Sequence, residues 1–430
     1  MTIITSIKAF QIYDSRGFPT VACELILDNK YIGLSKIPSG ASTGKHEACE
    51  LRDNLPNEWF GKGVNKAISN INDIIAPKLV NSKISNQAEL DKFLINLDGT
   101  PNKTNLGANA ILAISLAYCI ASSKAAHKPL FSYIRNDILH DDDTNYYFPI
   151  PQVNVINGGK HSNNNLDFQE FMFMPISGRT WSETLKIADE CFLSLQKILK
   201  EQKISIAKGD EGGFSVNLNT VEEAFQLLKQ AVEKANYKLG EDVCFALDVA
   251  ASEFYDGESY LVNINNVKTK FTTEDMVNWY VKLCNEYPII SIEDPFDQND
   301  WKGFIKLNNQ LLGKVQIVGD DLYCTNIKLL KNKIEEKPAS AILIKLNQIG
   351  TLTECLETIK YAKQNNLETI ISHRSGETED DFIADLCLAT NATQIKTGSM
   401  SRSERLAKYN RLIYIDQILV DNLKKKKDKK

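Results

Sequence analysis

The chain has 430 residues, 43% hydrophobic and 24% charged, with a formal net charge of −5. That balance argues against a general nucleic-acid binder, which needs an excess of clustered cations, and the ordinary composition argues against disorder. Nine cysteines without CxxC pairs or framework spacing argue against a disulfide scaffold and point to a reducing, cytoplasmic compartment.

The N-terminus, MTIITSIKAF, has no basic stretch followed by an apolar run, so no secretory leader is expected. Residues 1 to about 30 alternate apolar and polar, with a break at Arg16-Gly17-Phe18-Pro19, and Tyr31 to Ile37 continues the pattern. Period-2 alternation with such a break predicts a meander of three antiparallel strands. The small-residue loop PSGASTG follows, and residues 64–82, 86–98 and 107–127 carry helical spacing. The apolar stretch from Ala108 to Ala121 is too short to span a bilayer and reads as a buried helix. Strands followed by helices predict an N-terminal α+β lobe, residues 1–138. The acidic segment HDDDTNYY at 140–147 reads as a linker.

IPQVNVINGG and FQEFMFMP then read as two adjacent strands, with helices at 180–203 and 220–236. Beyond them, short apolar runs each deliver a polar residue at their downstream end. ISIAKGDE delivers Glu211, VCFALDVA Asp248, PIISIEDP Glu293, VQIVGDD Asp320 and AILIKLN Lys345. TIISHRSG delivers His373, Arg374 and Ser375, and TQIKTGS delivers Lys396. From Asp248 the steps are 45, 27, 25, 28 and 23 residues, near the length of a strand, a crossover helix and two loops. The long first step contains DGESYLVNINN and reads as an inserted excursion. Chemistry on so many successive strand ends fits a (β/α)8 barrel better than an open sheet with one switch point. The predicted class is α/β, with a TIM-like barrel over residues 139–423 that begins ββαα and continues as (βα)6. The last seven residues, KKKKDKK, read as a disordered tail, 424–430, or as a handle for an acidic partner.

Asp248, Glu293 and Asp320 are oxygen donors suited to Mg²⁺ or Mn²⁺. Each alone is equally a helix N-cap; their alignment in one series favours a metal site. Lys345 sits in an apolar run, where burial and nearby cations disfavour the ammonium and make a base near neutral pH. Its alternative is a structural ion pair with a barrel carboxylate. Glu211 is an acid opposite that lysine or a loop carboxylate. Arg374 and Ser375 suit a carboxylate or phosphate, and Lys396 adds positive charge. His373 stabilises an oxyanion or caps its loop; His161 belongs to a closing loop or to the plain surface.

The motifs PSGASTGKHEACELRD, LDFQEFMFMP, GDEGGF, LDVAASEFYD, SIEDPFDQNDW, VGDDL, LIKLNQIGT, SHRSGETED and IKTGSMSRSERLAKYN resemble those of enolases, most closely the bacterial ones, along nearly the whole chain. The resemblance implies reversible dehydration of 2-phospho-D-glycerate to phosphoenolpyruvate in glycolysis. It implies Lys345 as the base at C2 and Glu211 as the acid at the C3 hydroxyl. It implies two Mg²⁺ ions, one held by Asp248, Glu293 and Asp320 and one by Ser42 with substrate phosphate. Gln169, Arg374, Ser375 and Lys396 would bind substrate, with His161, Glu170 and His373 lining the site. It further implies a homodimer, with an octamer as the alternative assembly. Plasminogen or a degradosome would be an additional partner, Lys429 and Lys430 fitting plasminogen, and the cell surface a second location.

Overall fold

A computed structural model describes residues 2–41 and 44–427, with side chains as far as residue 421. Ser42 therefore lies outside the described residues.

The N-terminal lobe is built on β1 (Ile4–Tyr13), β2 (Pro19–Leu27) and β3 (Tyr31–Lys36), an antiparallel sheet in the order 1-2-3. The β1–β2 turn forms where the alternation breaks: Asp14 Oδ1 accepts the N–H groups of Arg16 and Phe18. The helix Ala108–Ala125 packs across β2 and β3. The approach is so close that a Cβ on Gly33 would fall 1.9 Å from the carbonyl oxygen of Ala117, which is why a glycine sits there. This helix exceeds the apolar run read from sequence. By length and apolarity it could cross a membrane, yet 83% of its apolar window is buried inside the protein.

The barrel closes through eight strands. They are β4 (Ile150–Asn157), β5 (Glu170–Pro175), β7 (Val243–Asp248), β10 (Ile289–Glu293), β11 (Gln316–Gly319), β12 (Ala341–Ile344), β13 (Glu368–Ser372) and β14 (Gln394–Lys396), with β14 pairing back onto β4. β5 runs antiparallel to both neighbours and every other barrel pairing is parallel. The ββ opening and six following βα units match the expected architecture. Helices Trp181–Glu201 and Val221–Lys234 start at Thr180 and Thr220, whose hydroxyls accept the N–H groups of Glu183 and Glu223; such caps stabilise a helix start by ~1 kcal/mol. The long step after Asp248 holds a separate hairpin, β8 (Tyr260–Ile264) and β9 (Val267–Phe271).

Two expectations need correction. ISIAKGDE is not a barrel strand. Its isoleucines are not in the core, and the nearest strand, β6 (Phe214–Ser215), merely pairs with the last two residues of β4. The C-terminal helix runs from Ser403 to Lys427, so it continues into the stretch expected to be disordered. Lysine is a good helix former, and cations favour a helix C-terminus. Residues 428–430 lie outside the described residues.

Candidate active site

The parallel strands end at one level, so their terminal residues share a rim. Glu293 pairs in register with Asp248 and with Val318, and Asp320 follows two residues later. Lys345 follows β12, and His373, Arg374 and Ser375 follow β13, whose Ser372 pairs with Lys396. Glu170 joins them because β5 is antiparallel: its first residue pairs with the last of β7, Asp248. Gln169 precedes it and donates from Nε2 to Asp248 Oδ2 at 3.2 Å.

Lys396 is buried at the centre. Its Nζ lies 2.7 Å from Asp248 Oδ2, 2.8 Å from Glu293 Oε2 and 3.1 Å from Glu170 Oε1. Burial lowers its pKa, but Asp248, Glu170 and Glu293 outweigh this and hold it well above the ordinary lysine range. Burial pushes Glu293 and Glu170 well above the carboxylate range, and neighbouring acids add to the effect.

Glu211 sits in a loop rather than at a strand end. The chain enters the left-handed region at Gly212, φ +89°, where a Cβ would also meet Ser401 Oγ at 2.7 Å. Asn154 Nδ2 donates to Glu211 Oε2 at 2.9 Å. His373 Nε2 stands 3.3 Å from Oε1, and His161 Nδ1 lies 3.5 Å from Oε2 and 3.7 Å from Glu170 Oε1. Burial raises the pKa of Glu211, but His161, His373 and Arg405 outweigh it and hold the group ionised. Burial lowers the pKa of both histidines, His373 to about 4.

Lys345 donates to Asp320 Oδ2, and Gln348 Nε2 donates to Oδ1 at 2.9 Å. This reverses one expectation. Burial does lower Lys345, but the adjoining Asp320 carboxylate outweighs it and raises the pKa above the ordinary lysine value. Arg374 grips Glu47 of the N-terminal lobe through NH1 and NH2, at 2.9 and 3.2 Å. Ser39 and Gly376 exchange backbone hydrogen bonds, and Ala41 N–H donates to Ser375 Oγ at 2.8 Å. The lobe's small-residue loop is thereby tied to the barrel rim. One cavity of about 20 Å³ is lined by His161, Gln169, Glu170, Glu211, Asp248, Lys345, His373, Arg374, Ser375 and Lys396, with Ser372. Every predicted site residue except Glu293, Asp320 and the undescribed Ser42 lines it; those two pair with Lys396 and Lys345.

The chain matches the family models "Enolase, N-terminal domain" over residues 4–134 and "Enolase, C-terminal TIM barrel domain" over residues 145–429. Curated relatives named "Enolase" agree. That of Mycoplasma genitalium is 50% identical over 427 residues, covering 97% of this chain and 93% of the relative. That of Ureaplasma parvum is 51% identical over 429 residues, covering 98% and 97%. That of Malacoplasma penetrans is 51% identical over 427 residues, covering 97% and 95%. The chain belongs to the enolase family. Membership in the enolase family makes it a hydro-lyase, a phosphopyruvate hydratase of glycolysis.

Enolases depend on a metal, and the buried oxygens here fit one. Glu293 Oε1, Glu170 Oε2 and Gln169 Oε1 are buried without a hydrogen-bond partner, and oxygen-only donors suit a hard cation. Among the described residues, two groups bring possible ligand atoms within 4.8 Å of one another, His161 with Glu170 and Glu211, and Asp294 with Asp320 and Asp321; the expected set Asp248, Glu293 and Asp320 is not one of them. In the second, Asp294 is already engaged, since its two oxygens accept the N–H groups of Asp320 and Asp321 at 2.9 and 2.8 Å.

Sequence reasoning missed Glu47, Asn154, Gln348 and Arg405. Arg405 is fully buried and donates to the carbonyls of Arg374 and Ser375, each at 2.6 Å. Gln348, three residues past Lys345, Arg405, inside the SRSERLAKYN motif, and Glu47, inside PSGASTGKHEACELRD, carried a local signal.

Proposed function

We propose that the chain dehydrates 2-phospho-D-glycerate to phosphoenolpyruvate with Lys345 as base at C2 and Glu211 as acid at the C3 hydroxyl. The observation that carries this reading is the single cavity on which Lys345, Lys396, Arg374 and the Glu170–Glu211 pair converge. Three cations suit an anionic substrate, and a base and an acid in one enclosure suit loss of a proton and a hydroxyl from adjacent carbons.

In the forward direction the C2–H bond breaks and its proton passes to the neutral amine of Lys345. The electron pair left at C2 forms the C2–C3 double bond as the C3–O bond breaks. The departing oxygen takes a proton from the acid and leaves as water. Glu211 gives that proton once protonated; Glu170, which burial pushes above the carboxylate range, lies on the other side of His161 Nδ1. Lys345 must be neutral to accept a proton. Were Asp320 and Glu293 both to hold a metal, burial and the charges of Arg374 and Lys396 would remain, and all three lower Lys345. Lys396 stabilises the negative charge that grows on the substrate carboxylate.

Asp248, Glu293 and Asp320 would hold one Mg²⁺, and Ser42 would help hold a second with the substrate phosphate. Bound there, Mg²⁺ supplies positive charge beside the carboxylate and makes the C2 proton easier to remove. Arg374, Ser375, Gln169 and His373 would complete the substrate contacts, with His161 as part of the wall.

We further infer three units: a capping lobe, residues 1–138, a barrel, residues 139–423, and the lysine-rich end, residues 424–430. A cytoplasmic setting is supported by nine cysteines that are all free thiols. A homodimer is supported by exposed Phe10, Tyr13, Ile32 and Leu34 on the lobe's sheet, with an octamer as the larger alternative. A plasminogen-binding or degradosome role, at the cell surface or as a scaffold, would be additional to catalysis; Lys429 and Lys430, which would serve plasminogen, lie outside the described residues.

The test follows phosphoenolpyruvate absorbance after adding 2-phosphoglycerate, first with Mg²⁺ and then with EDTA. Turnover that EDTA abolishes and Mg²⁺ restores is expected. A folded sample without turnover in Mg²⁺ overturns the reading.

A further inference from the structure

His161 and Glu211 lie on different loops, and neither loop belongs to the barrel wall. Something must fix one against the other, and the β8–β9 hairpin is packed where it can. Its tip is Asn265-Asn266, both at positive φ, 52° and 61°, the pairing that a two-residue hairpin turn favours.

Asn165, four residues past His161, makes three hydrogen bonds to two segments. Its Oδ1 accepts the N–H of Leu218 at 3.0 Å, in the segment that follows Glu211. Its Nδ2 donates to Asn266 Oδ1 at 2.9 Å, at the hairpin tip. Its carbonyl accepts from Asn263 Nδ2 at 2.7 Å. Asp167 adds two bonds to the hairpin, accepting from the backbone N–H of Asn263 and from Lys268 Nζ. The tip also reaches the Glu211 side, where Asn265 N–H donates to the carbonyl of Asn219 at 2.9 Å. Ser162 and Ser215 join the two loops directly through their hydroxyls.

We propose that Asn165 and Asp167 are positioning residues that staple the His161 loop to the β8–β9 hairpin and to the segment after Glu211, and so hold His161 opposite Glu211. Neither touches the cavity. Their effect passes through His161, because Asn165 anchors the far end of the loop whose near end is β4. Exposed polar contacts contribute little singly, but five bonds that share two residues remove the loop's alternatives together. A displacement of about 1 Å at a reacting group can cost roughly 10²-fold in rate.

The proposal rests on the dehydration reading, and a double-mutant cycle tests it on the full chain with Mg²⁺. Asn165→Ala is expected to lower kcat/KM by roughly 10- to 100-fold, chiefly in kcat, with the unfolding midpoint little changed. In a His161→Ala background the same substitution is expected to cost less than about twofold, because the group it positions is gone. Asn263→Ala removes one staple bond from the hairpin side. It should show the same dependence on His161, which keeps the test alive if Asn165→Ala does not fold. Equal losses in both backgrounds, or no loss, overturn the staple while leaving the dehydration reading intact. Absence of turnover in the unmutated chain overturns both.

Discussion

The guanidinium of Arg405 lies 2.7 Å from Nδ1 of His373. Arginine has only donors, so Nδ1 must accept, and the ring proton of the neutral imidazole sits on Nε2, which faces Glu211 Oε1. Burial, assisted by the Arg405 charge, lowers the pKa of His373 to about 4. The ring is therefore neutral across the physiological range, with its protonated Nε2 standing 3.3 Å from Glu211 Oε1.

That arrangement has a consequence for stability. The unfolded chain protonates this histidine near pH 6.5 and the folded chain only near 4, so between those values the unfolded state holds more protons. Stability should rise with pH across that window, by at most about 1.4 kcal/mol per pH unit from this group, and its contribution should be flat above it. Denaturant unfolding from pH 4 to 7 checks this. A His373→Asn variant should lose part of the slope; an identical slope would remove His373 as its source.

Lys345→Ala should abolish exchange of the C2 proton with solvent and lower kcat by roughly 10² to 10⁴, the range for a lost general base. Metal binding should persist, because the carboxylates are untouched. Exchange is read by deuterium incorporation into 2-phosphoglycerate in heavy water. Undiminished exchange would mean that another group takes the proton.

Glu211→Gln separates the two halves of the reaction. Glutamine keeps the shape and can still meet Asn154, but it cannot donate a proton to a departing hydroxide. C2 exchange is expected to survive while phosphoenolpyruvate formation falls by at least about 10². If exchange and dehydration fall together, Glu211 acts in proton removal or folding and not as the acid.

The strand-end series was legible because several parallel barrel strands are apolar runs closed by a polar residue, as at Asp248, Glu293, Lys345 and Lys396. The rule failed where geometry came from elsewhere. Glu211 was found for the wrong reason: its upstream run forms no strand, and the loop is held by Asn154 and two histidines. Glu47 was missed because it meets Arg374 across 327 positions of sequence, and no local pattern records such a pair. The raised pKa of Lys345 was missed for a related reason. An apolar run shows burial, but it does not show which carboxylate the fold sets against the amine.

Lys396 gives the sharpest energetic test. Its ammonium is the common partner of Asp248, Glu293 and Glu170, all buried. Removing one member of a buried ionic group leaves uncompensated charge and destabilises by about 3–5 kcal/mol, although protonation of the acids limits the loss. Lys396→Met keeps most of the volume and removes the charge. It should therefore unfold at lower denaturant without divalent metal, with a deficit that grows as pH rises and the carboxylates ionise. Mg²⁺ should recover part of the deficit if those carboxylates hold it, since binding to the folded state alone stabilises by mass action. Unfolding with EDTA and with Mg²⁺ measures both effects. Equal unfolding of the variant and the parent chain in EDTA would mean that the three acids do not depend on Lys396. A deficit that Mg²⁺ leaves unchanged would argue against those carboxylates as its ligands.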